Sequence, residues 1–148
     1  MKIMVSACLL GDNVKYNGGN NKNDELILFL KDYEIIKVCP EVFGGLSTPR
    51  DPSEILNNKV ITINRVDVTD KFMEGAKKTL EVARKNDVKI AILKKNSPSC
   101  GSNTIYDGTF SHTIVEGDGI TAKLLKENGI IVFDEENYKN IKNIIWQK

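Results

Sequence analysis

Short apolar runs alternate with amphipathic segments along this chain, and the alternation limits the folds open to it. The runs are rich in β-branched residues and are bounded by turn or charged residues, as buried strands are. They cover residues 2–7 (KIMVSA), 34–38 (EIIKV), 59–63 (KVITI), 88–93 (VKIAIL) and 129–133 (GIIVF). Strands separated by helices favour a mostly parallel sheet with helices on both faces. We therefore predict an α/β fold, a single Rossmann-like domain over residues 1–148 with a sheet of about five strands.

The segments between these runs have the apolar spacing of amphipathic helices. Apolar residues recur at helical spacing in residues 24–31, 70–86, 121–128 and 135–146. The buried face of the second segment is expected to carry Phe72, Met73, Ala76, Leu80 and Ala83. An Asp-Gly pair at residues 107–108, between β-forming residues, predicts a tight hairpin or a loop.

Three cysteines stand at related places in this pattern. Cys8 follows the first predicted strand, Cys39 the second and Cys100 the fourth. The carboxyl ends of parallel strands share one edge of a sheet, where ligand sites form, so the three thiols are able to converge there. Cys100 also lies in Ser-Pro-Ser-Cys-Gly (97–101), whose proline and glycine suit a turn better than a packed strand. The position of Cys100 in a loop makes its thiol a candidate for chemistry.

Thiolate ligands select zinc, copper(I) or iron-sulfur clusters. A cluster bound by three cysteines, with one iron left open, fits the number of thiols. A closed zinc site is less well supported, because the chain has no Cys-x-x-Cys pair and only one histidine, His112. On spacing alone, three buried cysteines without any ligand are the favoured interpretation, ahead of a cluster and of zinc.

Charge and hydropathy exclude several classes of partner. Lysine and arginine (21) balance aspartate and glutamate (20), and the longest basic clusters are pairs, so no surface for a nucleic-acid duplex is predicted. No segment approaches the roughly 18 apolar residues of a membrane helix, and the N-terminal apolar stretch is too short for a signal peptide. An odd number of widely spaced cysteines favours a reducing compartment. We expect a cytoplasmic protein that acts on a small molecule, and we predict no particular oligomeric state.

Four stretches of the chain resemble the thiouracil desulfurase (TudS-like) family, whose stand-alone form is known as domain of unknown function 523. They are SACLLGDNVKYNGG (6–19), VCPEVFGGLSTPRDPSEI (38–55), LKKNSPSCGSNTIYDGTF (93–110) and GDGITAKLLKENGI (117–130), in the order of the family. The resemblance implies a [4Fe-4S] cluster bound by Cys8, Cys39 and Cys100. It also implies an enzyme that removes sulfur from thiolated uracil bases or nucleotides as sulfide, by hydrolytic C–S cleavage at the open iron without net redox chemistry.

The same resemblance implies two catalytic residues. Glu41 would be the acid/base that activates the attacking water, and Ser97 would hydrogen-bond the substrate or that water. Ser99 and Ser102 flank Cys100, and the pattern favours turn formation for both over a hydrogen bond to a cluster sulfur.

Three further residues are candidates for substrate contact. Tyr16 and Tyr106 lie in loops at the predicted mouth of the site, where either side chain would stack on a pyrimidine ring. Arg50 is a candidate to bind an anionic or carbonyl group of the substrate. A pair with Asp51 or Glu54 that holds the loop is the favoured role for Arg50.

Two alternatives of other classes remain at this point. One is a zinc- or thiol-dependent hydrolase in which Cys100 acts as the nucleophile. The other is a non-catalytic iron-sulfur sensor or carrier module. His112 is expected to be structural or exposed, and it is not expected to be a metal ligand.

Overall fold

The backbone of residues 1–146 and the side chains of residues 1–144 are described by the computed structural model of this chain. Its strands are β1 (Lys2–Ser6), β2 (Glu34–Val38), β3 (Ser53–Leu56), β4 (Lys59–Thr62), β5 (Ile90–Ile92), β6 (Thr104–Tyr106), β7 (Ile114–Glu116) and β8 (Ile131–Phe133). Its α-helices are α1 (Asp24–Phe29), α2 (Pro40–Phe43), α3 (Thr69–Lys85), α4 (Ile120–Glu127) and α5 (Ile141–Trp146). Within the described residues, no helix is both long enough and apolar enough to cross a bilayer.

Four of the strands form one parallel sheet, in the order β2-β1-β5-β8. Side chains of β1 alternate between two apolar layers, as successive residues of a strand must. Met4 packs on one face with residues of α3 and α4, namely Leu80, Ala83, Ala122 and Leu125. Ile3 and Val5 pack on the other face with Leu26 of α1 and Ile141 of α5. The α/β prediction, with a parallel sheet and helices on both faces, is confirmed.

One predicted strand lies outside this sheet. The run at residues 59–63 forms β4, which pairs antiparallel with β3 so that Leu56 stands opposite Lys59. Asn57 and Asn58 both have positive φ, 51° and 65°, as the two-residue turn of a type I′ hairpin requires. Asparagine enters that region more easily than most residues, so the Asn-Asn pair was the sequence signal for a hairpin. Because β4 takes an antiparallel partner, the parallel sheet has four strands and not about five.

Three smaller differences concern helices and the second hairpin. Met73 is exposed, although it was predicted on the buried face of α3. Its neighbour Phe72 occupies that face, and adjacent helical residues point about 100° apart. The predicted helix 135–146 begins as a 3₁₀ turn, Tyr138–Asn140, before α5. The Asp-Gly pair lies in a loop of residues 107–113 that joins β6 and β7, so the loop of the prediction is confirmed and the tight hairpin is not.

Two glycines allow α2 to cross α3 in direct backbone contact. A Cβ atom at Gly75 would lie 1.9 Å from the carbonyl oxygen of Pro40, and one at Gly44 would lie 2.0 Å from that of Lys71. Neither distance leaves room for any side chain, so both positions require glycine. The crossing fixes the place of α2, which begins immediately after Cys39.

Replacement of Gly75 by alanine is expected to destabilise the protein. The added methyl group forces α2 away from α3, and overpacking of this kind costs about 1–3 kcal/mol. Alanine offsets at most about 1 kcal/mol of that through its higher helix propensity. Urea denaturation measures the net loss, and Glu74→Ala on the exposed face of α3 is the control, expected to stay within about 0.5 kcal/mol. An unchanged midpoint for Gly75→Ala would contradict this helix contact.

Candidate active site

A cavity of about 360 Å³ lies at the carboxyl-terminal edge of the parallel sheet, and all three cysteines line it. Cys8 lies just after β1, Cys39 directly after β2 and Cys100 in the loop after β5. Because β2 and β5 flank β1 on opposite sides, the strand order reverses at this edge, where open α/β sheets bind ligands. The volume is at the lower end of the range of about 300–1,000 Å³ for small-molecule sites.

Cys8 lies in a short 3₁₀ turn, Ala7–Leu10, that ends at Gly11 with φ of 102°. The carbonyl oxygen of Cys8 accepts the N–H groups of Gly11 at 3.2 Å and Asn21 at 2.9 Å. The loop between Gly11 and Asn21 therefore begins and ends next to Cys8. The side-chain amide of Asn21 also donates to the sulfur, with Nδ2 3.5 Å from Sγ.

Cys39 is the N-cap residue of α2, and Pro40 occupies the first position of the helix, where proline is favoured. Cys39 makes no side-chain capping hydrogen bond, but the backbone N–H groups of Val42 and Glu41 at the start of α2 act to lower the pKa of its thiol. Glu41 stands in the same first turn and lines the cavity beside Cys39. The start of one short helix thus places a thiol and a carboxylate side by side.

Cys100 lies in a turn that is built against the start of α4. The Cys100 N–H donates to Ser97 Oγ at 2.7 Å, and the Gly101 N–H donates to the Ser97 carbonyl at 2.9 Å. The N–H groups of residues 119–122 donate to carbonyl oxygens within residues 98–101. A Cβ atom at Gly119 would lie 2.6 Å from the backbone of Ser99, so helix and turn meet without space between them.

The Cys100 sulfur has a hydrogen-bond donor in Ser6, the last residue of β1. Ser6 Oγ lies 3.5 Å from Cys100 Sγ. The Lys94 N–H donates to Ser6 Oγ at 3.0 Å, which leaves the single hydrogen of the Ser6 hydroxyl for the sulfur. With Asn21 at Cys8, two of the three sulfurs therefore have a side-chain hydrogen-bond donor within reach.

Burial raises the pKa of all three thiols above its ordinary value, and that of Cys100 to about 12. The hydrogen bonds to sulfur act in the opposite direction, because they favour the charged form. As free thiols the three groups are protonated at neutral pH, so Cys100 is unsuited to be the nucleophile of a thiol-dependent hydrolase. A bound metal group would supply the positive charge that allows the protons to leave.

The three thiols are not arranged as ligands of one metal ion. Among the side chains of residues 1–144, no three from histidine, cysteine, aspartate and glutamate lie close enough together to bind a single ion. Three Zn–S bonds of about 2.3 Å would gather the sulfurs around one point.

The Glu41 carboxylate is hydrogen-bonded at both oxygens. Arg50 Nε donates to Oε1 at 3.1 Å, and Ser99 Oγ donates to Oε2 at 2.8 Å. The prediction that Arg50 pairs with Asp51 or with Glu54 is therefore wrong. Asp51 accepts a hydrogen bond from the Asn64 side chain, and buried Glu54 accepts the N–H groups of Gly108 and Phe110.

Ser97, Tyr16 and Tyr106 also line the cavity. Ser97 Oγ accepts the Cys100 N–H and lies 3.3 Å from Ser99 Oγ. Tyr16 is 43% exposed, and Tyr106 packs edge-to-face on the exposed ring of His112. Catalysis by Ser97 and substrate contact by Tyr16 and Tyr106 stay predictions.

Sequence reasoning missed several residues of the site. Ser6, Asn21 and Lys94 were not singled out. The bonds of Ser6 to Cys100 and to Lys94 join parts that are distant in the chain, and the bond of Asn21 to Cys8 depends on how the loop between them folds back. The ion pair of Lys94 Nζ with Glu135 Oε2, 2.7 Å, was missed because it too joins distant parts of the chain. Ser99 was predicted to form a turn, and its bond to Glu41 spans 58 positions in the chain.

Fold and cavity define an α/β protein with a three-cysteine site at the sheet edge, and comparison with known proteins shows its family. A family model described as 2-thiouracil desulfurase matches residues 3–137. The chain is 41% identical to uncharacterized protein YbbK of Bacillus subtilis (strain 168) over 149 residues, 94% of this chain and 99% of that one. A solved structure described as a [4Fe-4S]-dependent thiouracil desulfidase, TudS, matches with a TM-score of 0.92 at 38% identity, covering 99% of both chains. This chain belongs to the 2-thiouracil desulfurase family, as its resemblance to that family implied.

Alkylation of the cofactor-free protein is expected to follow thiol exposure. Cys8 and Cys39 are half-buried, whereas Cys100 is 4% exposed and has the pKa of about 12. Iodoacetamide at pH 8 should therefore modify Cys8 and Cys39 well before Cys100, since only an accessible thiolate reacts. Peptide mass spectrometry against time follows each site. Faster modification of Cys100 than of the other two would contradict the described burial.

Proposed function

We propose that this protein is a [4Fe-4S]-dependent desulfurase that converts thiolated uracils to the oxygen analogues and sulfide. The family match and the likeness to TudS support this class of activity. The observation that carries the proposal is the convergence of Cys8, Cys39 and Cys100 with the Glu41 carboxylate on one cavity. The size of the cavity suits a free base or a small nucleotide better than a polymer.

Cys8, Cys39 and Cys100 would hold the cluster. Their desolvated thiols, with hydrogen-bond donors at the Cys8 and Cys100 sulfurs, fit a group that binds thiolates. When bound through three cysteines, the cluster supplies one iron without a protein ligand, a Lewis acid with affinity for sulfur. Three reduced cysteines also suit a cytoplasmic location, which we propose on the same ground.

The reaction balances as a hydrolysis. The oxygen of one water molecule forms a bond to the ring carbon, the C–S bond breaks, and both water protons end on the departing sulfur or in solvent. The ring carbon keeps its oxidation level, so no external oxidant or reductant is needed.

Glu41 is the group that would move these protons. Its carboxylate accepts one proton from the attacking water and returns it to the sulfur that leaves. Each carboxylate oxygen has one hydrogen bond from the protein and keeps a further acceptor site for water. Tyr16 and Tyr106 would pack against the pyrimidine ring and limit the access of other water to it.

Anaerobic incubation with 2-thiouracil and 4-thiouracil in ¹⁸O-water tests the function. The proposal predicts one sulfide and one uracil per turnover, with the label in the new carbonyl group. Sulfide release without incorporation of the label would contradict hydrolysis. A coloured protein without turnover would favour the sensor or carrier alternative.

Glu41→Gln is expected to keep the cluster and to lose turnover, because the amide accepts no proton at neutral pH. The loss should be of the order of 10²–10⁴-fold in kcat, as for other positioned acid/base groups. Iron content and visible absorption of the variant should match those of the parent protein. Glu34→Gln on the exposed surface is the control for charge removal alone. Full activity of Glu41→Gln would show that Glu41 is not the acid/base.

Cys39→Ser is expected to lose both iron and turnover. Serine replaces the soft sulfur ligand by a hydroxyl that binds iron poorly at neutral pH. Iron content, visible absorption and sulfide release are compared with those of Glu41→Gln after the same anaerobic purification. Retention of the full iron content would contradict the assignment of Cys39 as a ligand.

A further inference from the structure

We infer that Ser99 and Arg50 are positioning residues of this site: together they hold the Glu41 carboxylate in one orientation and tie it to the loops of all three cysteines. The inference rests on the proposed acid/base function of Glu41. It assigns Ser99 a function beyond turn formation, and it assigns Arg50 a function other than substrate binding.

Ser99 provides the contact from the Cys100 turn. Its hydroxyl has one hydrogen and three acceptors within reach: Glu41 Oε2 at 2.8 Å, Ser97 Oγ at 3.3 Å and Cys100 Sγ at 3.6 Å. The shortest bond, to a carboxylate, takes the hydrogen because charge-assisted bonds are the stronger ones. Ser99 is 2% exposed, and its carbonyl oxygen accepts the N–H groups of Thr121 and Ala122 at the start of α4. Packing and these backbone bonds therefore hold Ser99 in place independently of its contact with Glu41.

Arg50 provides the contact from the other two loops. Besides Nε at Glu41 Oε1, its Nη1 donates to Ser47 O and Thr48 Oγ1, each at 3.1 Å, in the loop after Cys39. Its Nη2 donates to Val14 O at 2.8 Å, and its backbone N–H donates to Tyr16 O at 2.7 Å, both in the loop after Cys8. Four of the five guanidinium N–H groups are occupied by the protein in this way. Only one guanidinium N–H group of Arg50 is left to donate to a substrate.

The two donors act on different oxygens, so they fix the plane of the carboxylate as well as its position. Side-chain exposure is 9% for Arg50 and 17% for Glu41, which limits the competition of water for these bonds. A misplacement of about 1 Å in a catalytic group is enough to cost on the order of 10²-fold in rate. The carboxylate and the three sulfurs keep their relative places because the same loops hold both.

The main test is a set of double-mutant cycles on the cluster-loaded enzyme, with sulfide release from 2-thiouracil as the assay. Ser99→Ala and Arg50→Gln should each lower kcat by about 10- to 100-fold with KM within twofold. In a Glu41→Gln background, the same substitutions should change the residual rate less than twofold, since there is no carboxylate left to position. Ser99→Thr keeps the hydroxyl and should recover most of the loss.

Ser102→Ala is the matched control. Ser102 is buried in the same turn but makes no hydrogen bond to Glu41, so its removal should leave kcat within twofold. Iron content and visible absorption, measured for every variant, should equal those of the parent. A crystal structure of Ser99→Ala should show the Glu41 carboxylate rotated or in more than one orientation. That readout does not depend on turnover.

Three outcomes would overturn the inference. These are unchanged kcat in Ser99→Ala, an equal loss of rate with and without Glu41, or an Arg50→Gln variant whose KM rises while kcat stays constant. The last outcome would make Arg50 a substrate-binding residue. Full activity of Glu41→Gln is a separate failure, because it removes the proposed acid/base function, whereas the crystal structure still reports whether the carboxylate is held.

Discussion

The register of β1 with its two neighbours is the constraint on which the site depends. Ser6 stands opposite Val38 and Val5 opposite Ile92, so the carboxyl ends of three strands are level. Ile3, Met4 and Val5 are fully buried between the two helical layers. Burial of each such side chain stabilises the fold by about 1.5–3 kcal/mol. A slip of one residue would turn all of them to the wrong face, so packing fixes the register and brings three distant loops together.

Much of the fold follows from local pattern, and most of the polar site does not. Strand β2 and the other sheet strands coincide with predicted apolar runs, and the convergence of the cysteine loops follows from the rule that parallel strands share one carboxyl edge. The Asn57-Asn58 hairpin was not predicted, although the pair is a local turn signal. The contacts of Glu41 with Arg50 and Ser99 were not predicted either, because spacing does not specify which of several nearby acids an arginine will meet.

The sulfur environment combines two opposing effects. Burial penalises thiolates, and the donors Ser6 and Asn21 favour them. Such a site keeps its thiols protonated until a metal group arrives, and then stabilises the charged sulfurs. In the proposed function, binding of the cluster would therefore be coupled to release of these protons. Glu41 shares this environment, since its two hydrogen-bond donors belong to the same loops.

The central claim is that three thiols from separate loops bind one metal-sulfide group at this edge. Its most direct test is the iron and acid-labile sulfide content of anaerobically purified protein, compared with that of the single serine replacements of Cys8, Cys39 and Cys100. We expect about four irons and four sulfides per chain in the parent protein and a large loss in every variant. Iron-free protein that still releases sulfide from thiouracil at the full rate would contradict the claim.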